Sequence, residues 1–257
     1  MNTPRAGLGM YPFEPLRPAY DRLWQAVRER ASWVPDRLEW DVDLHSQWRD
    51  PATVVSYTCG WPLVTELADL ADTGRMHVVG SFVFAIPESD GPTYRSVLVA
   101  RRPGTAADFA GALAAANGAD SLSGWVSLLH AVHGPGARWQ GEVLFTGAHL
   151  ESVRAVHERR ADVASIDAVS LAHIRCLYPD LCTGLVEVGH GPQVGCLPVI
   201  AGASVSTQQL AELRAAFTDA VADPTLADVR ATLLVEAFVA REYADYRPLR
   251  ELAPAPQ

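Results

Sequence analysis

The sequence has no surplus of positive charge: Lys and Arg number 21 against 30 Asp and Glu, which leaves a net charge of −9 over 257 residues. With no basic field to attract a phosphate backbone, nucleic acid is excluded as a partner. A small anion is not excluded, because it responds to the local field of its own seat. Cysteine is scarce. Cys59, Cys176, Cys182 and Cys196 form no C-x-x-C and pair with no histidine at metal-ligand spacing, so no zinc site is expected. Cys176 and Cys182 could form a disulfide, but free, buried thiols are the preferred reading. No window approaches the ~18 apolar residues of a membrane span. The first eleven residues hold no apolar h-region and no cleavage site, so the chain is expected to be soluble and without a leader. G-x-S-x-G, G-x-x-x-x-G-K-[ST] and H-E-x-x-H are all missing, so no catalytic motif, cofactor or metal is expected.

What is present is an ordinary globular composition, with 49% hydrophobic and 20% charged residues. That length allows one large domain or two modest ones. The first part alternates between strand and helix patterns. Ala6–Tyr11, Arg37–Val42 and Thr53–Tyr57 read as strands, Ala19–Arg30 and Leu63–Leu70 as helices, and His77–Ala85 and Ser96–Arg102 as further strands. This order predicts a parallel sheet with helices on its faces. A second βα series follows: a small-residue strand ending at Ala116, strands at Gly141–Phe145, Asp162–Ile166 and Leu185–Val188, and helices at Leu150–Arg159 and Val169–Leu177. Gly189–Pro198 reads as irregular, Val199–Ala201 as a strand, and Thr207–Ala222 and Pro224–Phe238 as helices. The expected architecture is therefore α/β, with two Rossmann-like αβ lobes, one nested in the other. Residues 1–98 with 199–257 form the first lobe and residues 99–198 the second, joined by two hinge crossings.

The stretch Asn117-Gly118-Ala119-Asp120-Ser121-Leu122-Ser123-Gly124-Trp125 lies between a strand and a helix. Asp120, Ser121 and Ser123 are N-cap residue types, and Gly124 leaves the backbone amides uncovered. A helix start carries unsatisfied N–H groups and a partial positive charge, so it can hold an oxyanion without Lys or Arg. The same residues also suit an ordinary helix cap. Thr146-Gly147-Ala148-His149 occupies a second strand-to-helix turn, where His149 is either a packed residue or a donor to an anion. Asp167 ends a strand and either caps the next helix or receives a ligand amine or hydroxyl. Tyr11, Tyr57, Trp61, Tyr94 and Trp125 fall at loop positions near inferred strand ends, where aromatics can close around a small ligand. Ligands of open parallel sheets bind outside the carboxyl ends of strands, so these motifs are expected to share one cleft between the lobes. Cys59, at a helix start, could be an activated thiol with His149 as its base, although a small buried thiol is the simpler reading.

The blocks SYTCGWPL, NGADSLSGW and FTGAH…SVRAVHERRADVASID, with LP after the second crossing, run in order. Together they resemble the phosphate/phosphite/phosphonate-binding proteins of ABC transporters, the PhnD-like members of the type 2 periplasmic binding protein fold, from about Met10 to Phe238. The resemblance implies two lobes that close on a ligand. It implies that Ser121, Ser123 and Gly124 hold the anion's oxygens, with Leu122 where many members carry a small polar residue. It further implies that His149 reaches the anion, that Asp167 meets a ligand amine or hydroxyl, and that Tyr57, with Tyr11 and Tyr94, lines the site. The function expected is binding of a phosphonate, phosphate ester or related oxyanion for ABC-type uptake, by a monomer with no cofactor and with a permease as partner. The family is usually periplasmic, while this chain is read as cytoplasmic or trimmed of a leader. The alternatives are a leaderless enzyme using Cys59 or His149, or a ligand sensor, on the same fold.

Overall fold

The computed structural model describes residues 3–254 and contains two five-stranded sheets, each with its own helices. In chain order the first elements are β1 (Arg5–Ala6), α1 (Arg17–Arg30), α2 (Leu44–Arg49), β2 (Thr53–Tyr57), α3 (Gly60–Val64), α4 (Ala68–Asp72) and β3 (Met76–Phe84). A hairpin of β4 (Ser89–Asp90) and β5 (Thr93–Tyr94) leads to β6 (Val97–Ala100), β7 (Ala114–Ala116), α5 (Ser127–His133), β8 (Val143–Phe145) and α6 (His149–His157). Then come β9 (Val163–Ile166), α7 (Ala168–Leu177), α8 (Pro179–Cys182) and β10 (Val186–His190). The last described elements include β11 (Val194–Gly195), β12 (Pro198–Gly202), α9 (Thr207–Ala222), α10 (Ala227–Leu233) and β13 (Val235–Ala240).

The chain packs as two units. Unit 1 holds the residues up to Ala85 together with Gly195–Arg247, and unit 2 holds Ile86–Val194 with the residues from Pro248 onward. Residues 86–98, grouped with the first lobe in the sequence reading, pack in unit 2. There β6 is hydrogen-bonded to β9 on one side and β10 on the other.

In unit 1 the strand order is β1-β2-β12-β3-β13. The sheet is mixed rather than parallel: β1 and β2 run together, but β12 enters antiparallel between β2 and β3, and β13 pairs antiparallel with β3. Every residue of β2 is buried, as expected of a β-branched strand covered on both faces. The core is aromatic. Phe217 of α9 stacks on Phe238 of β13 at 4.8 Å, and Phe82 of β3 meets Phe238 edge-on at 5.2 Å. Ser206 and Gln209 close α9 with a capping box, which secures the helix that delivers Phe217. Pro224–Phe238 is not one helix. Leu234 takes a left-handed conformation at φ 56°, ends α10, and sends the chain into β13. A left-handed leucine costs on the order of 1 kcal/mol, and the burial of Phe238 against Phe82 and Phe217 offsets it.

In unit 2 the order is β10-β6-β9-β7-β8. The strands β9, β7 and β8 are parallel to one another, while β6 is antiparallel to both β9 and β10. The stretch read as irregular contains the end of β10 and all of β11. Alanine is a poor strand former, yet β7 is Ala114-Ala115-Ala116, buried throughout. The small side chains let Phe109, Trp125, Leu128 and Val163 close over the strand. This packing brings the segments after β7 within reach of those after β8 and β9.

Phe82 is fully buried, with the rings of Tyr57, Phe84, Phe217 and Phe238 all within 6.4 Å. Phe82→Ala is expected to cost about 3–5 kcal/mol, read as a lower midpoint in urea unfolding. An unmoved midpoint would show that this cluster does not hold unit 1 together.

Candidate functional site

Because β9, β7 and β8 are parallel, their carboxyl ends lie along one edge of the unit 2 sheet. The antiparallel β6 brings its amino end to the same edge. Four segments therefore meet there: 117–126 after β7, 146–149 after β8, Asp167 after β9, and Tyr94 to Ser96 ahead of β6. Neighbouring strands sit about 4.8 Å apart, so side chains at adjacent ends can reach one another.

The segment after β7 starts a helix, as its cap residues predict. Ser121 is the N-cap, and its Oγ accepts the Gly124 amide at 3.0 Å. The first turn is wound as π-helix rather than α-helix. The Ser121 carbonyl accepts from both the Trp125 and Val126 amides, at 3.1 and 3.0 Å, and the Leu122 carbonyl accepts from Ser127. The amides of Leu122 and Ser123 lie in this turn, where a helix supplies no acceptor. A Cβ at Gly124 would collide with Asn117 Oδ1, so any other residue there would push the Asn117 side chain aside. The Asn117 carbonyl in turn accepts the Gly147 amide at 3.0 Å, tying this turn to the one after β8. Ser165 of β9 donates its hydroxyl to the Ser123 carbonyl at 2.6 Å.

His149 is the first residue of α6, which begins without a side-chain cap. Thr146 braces the approach: its Oγ1 donates to the carbonyls of Ala116 and Ala148 and shares a hydrogen bond with Ser152. Gly147, at φ +84°, makes the bend. The ring of His149 then meets the other helix start, with Nε2 2.9 Å from Ser123 Oγ. Burial holds the imidazole below its ordinary pKa of 6.5, with the charge of Asp167 acting weakly the other way. A helix N-terminus also disfavours a positive ring. His149 is therefore neutral at pH 7, with the proton on one ring nitrogen and a lone pair on the other.

Asp167 is 2% exposed, and both its oxygens are engaged. Oδ1 accepts the Ser170 amide at 2.8 Å and caps α7, while Oδ2 accepts the Tyr94 hydroxyl at 2.7 Å. His173, buried one and a half turns into α7, is pushed down to about 4 by burial, against the opposing charge of Asp167.

Of the residues singled out in the sequence, Ser121, Ser123, Gly124 and His149 come together, and Asp167 pairs with Tyr94. Trp125 is part of the unit 2 core, its ring 6.4 Å from Trp139 and 5.7 Å from Phe145. Tyr11 and Tyr57 are buried in unit 1, edge to face at 5.9 Å, and Trp61 lies in α3 of the same unit. Cys59, also in unit 1, precedes α3, and no disulfide joins any of the four cysteines among the described residues. Ser165 and the buried pair Ser96 and Ser127, 3.4 Å apart, escaped the sequence reading. A lone serine inside a strand or helix carries no pattern that marks it. Among the described residues, Glu88, Glu187 and His190 bring three ligand-type atoms within 4.8 Å, on an exposed face where Glu187 is already paired with Arg175 at 2.6 Å.

A serine hydroxyl on a histidine nitrogen also occurs in hydrolases, where a carboxylate orients the base through its other nitrogen. Here His149 Nδ1 has no hydrogen-bond partner among the described residues, and Asp167 is committed to Tyr94 and Ser170. What the edge offers is a set of neutral donors, hydroxyl, amide and imidazole, at the starts of two helices.

The sequence matches a family model described as ABC transporter, phosphonate, periplasmic substrate-binding protein, over residues 69–246. No curated protein sequence matches the chain. Its fold is similar to that of PhnD1 from Prochlorococcus marinus in complex with methylphosphonate, with a TM-score of 0.76 at 10% identity over 97% of this chain and 96% of that one. A binding protein component of an ABC phosphonate transporter from Pseudomonas aeruginosa gives 0.75 at 15% identity, over 98% and 86%. XAC2383 from Xanthomonas citri, bound to ATP, gives 0.68 at 18% identity, over 97% and 94%. These likenesses establish the fold, a type 2 periplasmic binding protein fold.

The depressed histidines make stability depend on pH. Below pH 6.5 the unfolded chain takes up protons that folded His173 refuses until about pH 4. Stability from this group is therefore complete above pH 6.5 and is lost as the pH falls toward 4, by up to about 3 kcal/mol. In unfolding curves from pH 7 to 4, the difference between the wild type and His173→Gln is expected to shrink with acidification. A constant difference would remove the assignment.

Proposed function

The chain belongs to the family of periplasmic substrate-binding proteins of phosphonate ABC transporters, and on that premise we propose that it is a receptor for a small phosphorus oxyanion. The ligand class is a phosphonate, a phosphate ester or a related ion. The observation that carries this reading is the 2.9 Å contact between Ser123 Oγ and His149 Nε2, which joins two helix starts at one sheet edge. A tetrahedral anion has several oxygens to satisfy at once. The amides of Leu122 and Ser123, the hydroxyls of Ser121 and Ser123 and the ring of His149 supply donors around one point. Helix dipoles meet the ligand's charge in place of a guanidinium.

In this reading the protein binds and releases its ligand without turning it over. Among the described residues the Ser123 and His149 pair has no carboxylate bonded to the ring to orient it as a base, which favours a donor role over a nucleophilic one. Asp167 and Tyr94 are the proposed neighbours of the ligand's organic end. The family serves ABC transporters, and the proposed partner is the permease of such a transporter.

Methylphosphonate is the first probe, since the Prochlorococcus relative was found in complex with it. Hydrogen bonds to a charged group contribute about 1.5–3 kcal/mol each. Replacing Ser121→Ala together with Ser123→Ala is therefore expected to weaken binding roughly a hundredfold or more in calorimetry, with circular dichroism unchanged. Equal affinity in the double variant would sink the assignment of this turn. Failure of the wild type to bind methylphosphonate, phosphite and phosphate would sink the ligand class.

A further inference from the structure

The turn that carries Ser123 has an uncommon winding, and a residue outside the turn bonds to its main chain. In an α-helix each carbonyl accepts the amide four residues on, and successive residues are rotated by about 100°. Here the Ser121 carbonyl is shared between Trp125 and Val126, and Leu122 accepts from Ser127, so one extra residue is wound into the turn. The strand β9 lies at the centre of the unit 2 sheet, and its Ser165 is fully buried. A hydroxyl there is costly unless bonded, and this one donates to the Ser123 carbonyl at 2.6 Å. The Gly124 amide, next along the chain, is fixed by Ser121 Oγ at 3.0 Å. The main chain of Ser123 is thus gripped on both sides, and its hydroxyl is left to reach His149 Nε2.

We propose that Ser165 is a positioning residue for the anion seat: its hydroxyl selects the π-wound turn and thereby aims Ser123 at His149. Without that bond the turn relaxes toward α winding, which rotates Ser123 off the His149 ring and separates the two donors. Ser165 touches no ligand and acts through Ser123 alone. The inference rests on the oxyanion-binding reading for its effect on affinity.

Two readouts keep the two ideas apart. The first is the ¹⁵N shift and titration of the His149 ring in ligand-free protein. Ser165→Ala is expected to move these toward the values seen in Ser123→Ala, whereas Ser56→Ala, which removes another fully buried hydroxyl in unit 1, leaves them in place. The second is methylphosphonate affinity, expected to fall about tenfold or more in Ser165→Ala. The same change adds little once Ser123 is already alanine, because coupled residues are not additive. If Ser165→Ala does not fold, the isosteric pair Ser165→Thr and Ser165→Val replaces it, the threonine retaining the wild-type ring signals and the valine losing them. Unchanged His149 signals in Ser165→Ala, or threonine and valine variants that behave alike, would overturn the proposal. So would a loss of affinity that adds in full to that of Ser123→Ala. If methylphosphonate does not bind the wild type, the ligand assignment fails while the ring signals still decide the role of Ser165.

Discussion

The contact between Ser123 and His149 depends on nearly everything else in unit 2. It links the start of the helix after β7 to the start of α6 after β8, and each partner is set by a separate arrangement. Parallel pairing of β7 with β8 places the two turns side by side. Alanines in β7 let the layers above and below come close. Gly124 makes room for the Asn117 side chain, and the Asn117 carbonyl ties down Gly147, which opens the bend to His149. A hydrogen bond 2.9 Å long between residues 26 positions apart is the visible end of that chain of constraints.

The electrostatics follow from the same economy of charge. All 21 cationic side chains are arginine, and there is no lysine. Many of the arginines are in surface ion pairs, such as Arg5 with Glu39 and Asp50, and Arg175 with Glu187. The partners of Ser121, Ser123 and His149 are instead neutral groups, and burial keeps His149 itself uncharged. The proposed seat, made of dipoles, has a fixed direction, whereas a flexible cation would follow its ligand. Geometry at the turn therefore matters more here than it would beside a guanidinium.

Much of this was legible in the sequence. Cap residue types marked the turn at Ser121, and the strand-to-helix position of His149 pointed to a second turn of the same kind. The alternation of strand and helix patterns indicated an α/β fold. Other features leave no local trace. The π winding is a choice of hydrogen-bond partner with no side-chain signature, so the turn reads as an ordinary cap. The antiparallel entry of β12 depends on the direction in which the chain re-enters unit 1, which composition does not encode. Leu233-Leu234-Val235 suits a helix or a strand equally, and only the burial of Phe238 among unit 1 aromatics decides for β13. Trp125 sits where an aromatic can face either way. Packing against Trp139 decides that it faces inward.

The pairing of Asp167 with Tyr94 also bears on selectivity among related ligands. A carboxylate left open to solvent would reward any cationic tail with a full charge pair. This carboxylate is already capped by the Ser170 amide and the Tyr94 hydroxyl. For the proposed receptor, a ligand ammonium group arriving at Asp167 would take part in an exchange: it would displace a phenol, and its gain would be the difference between two bonds. Discrimination between an aminoalkyl ligand and its plain alkyl counterpart would be compressed as a result, with the tyrosine setting how much.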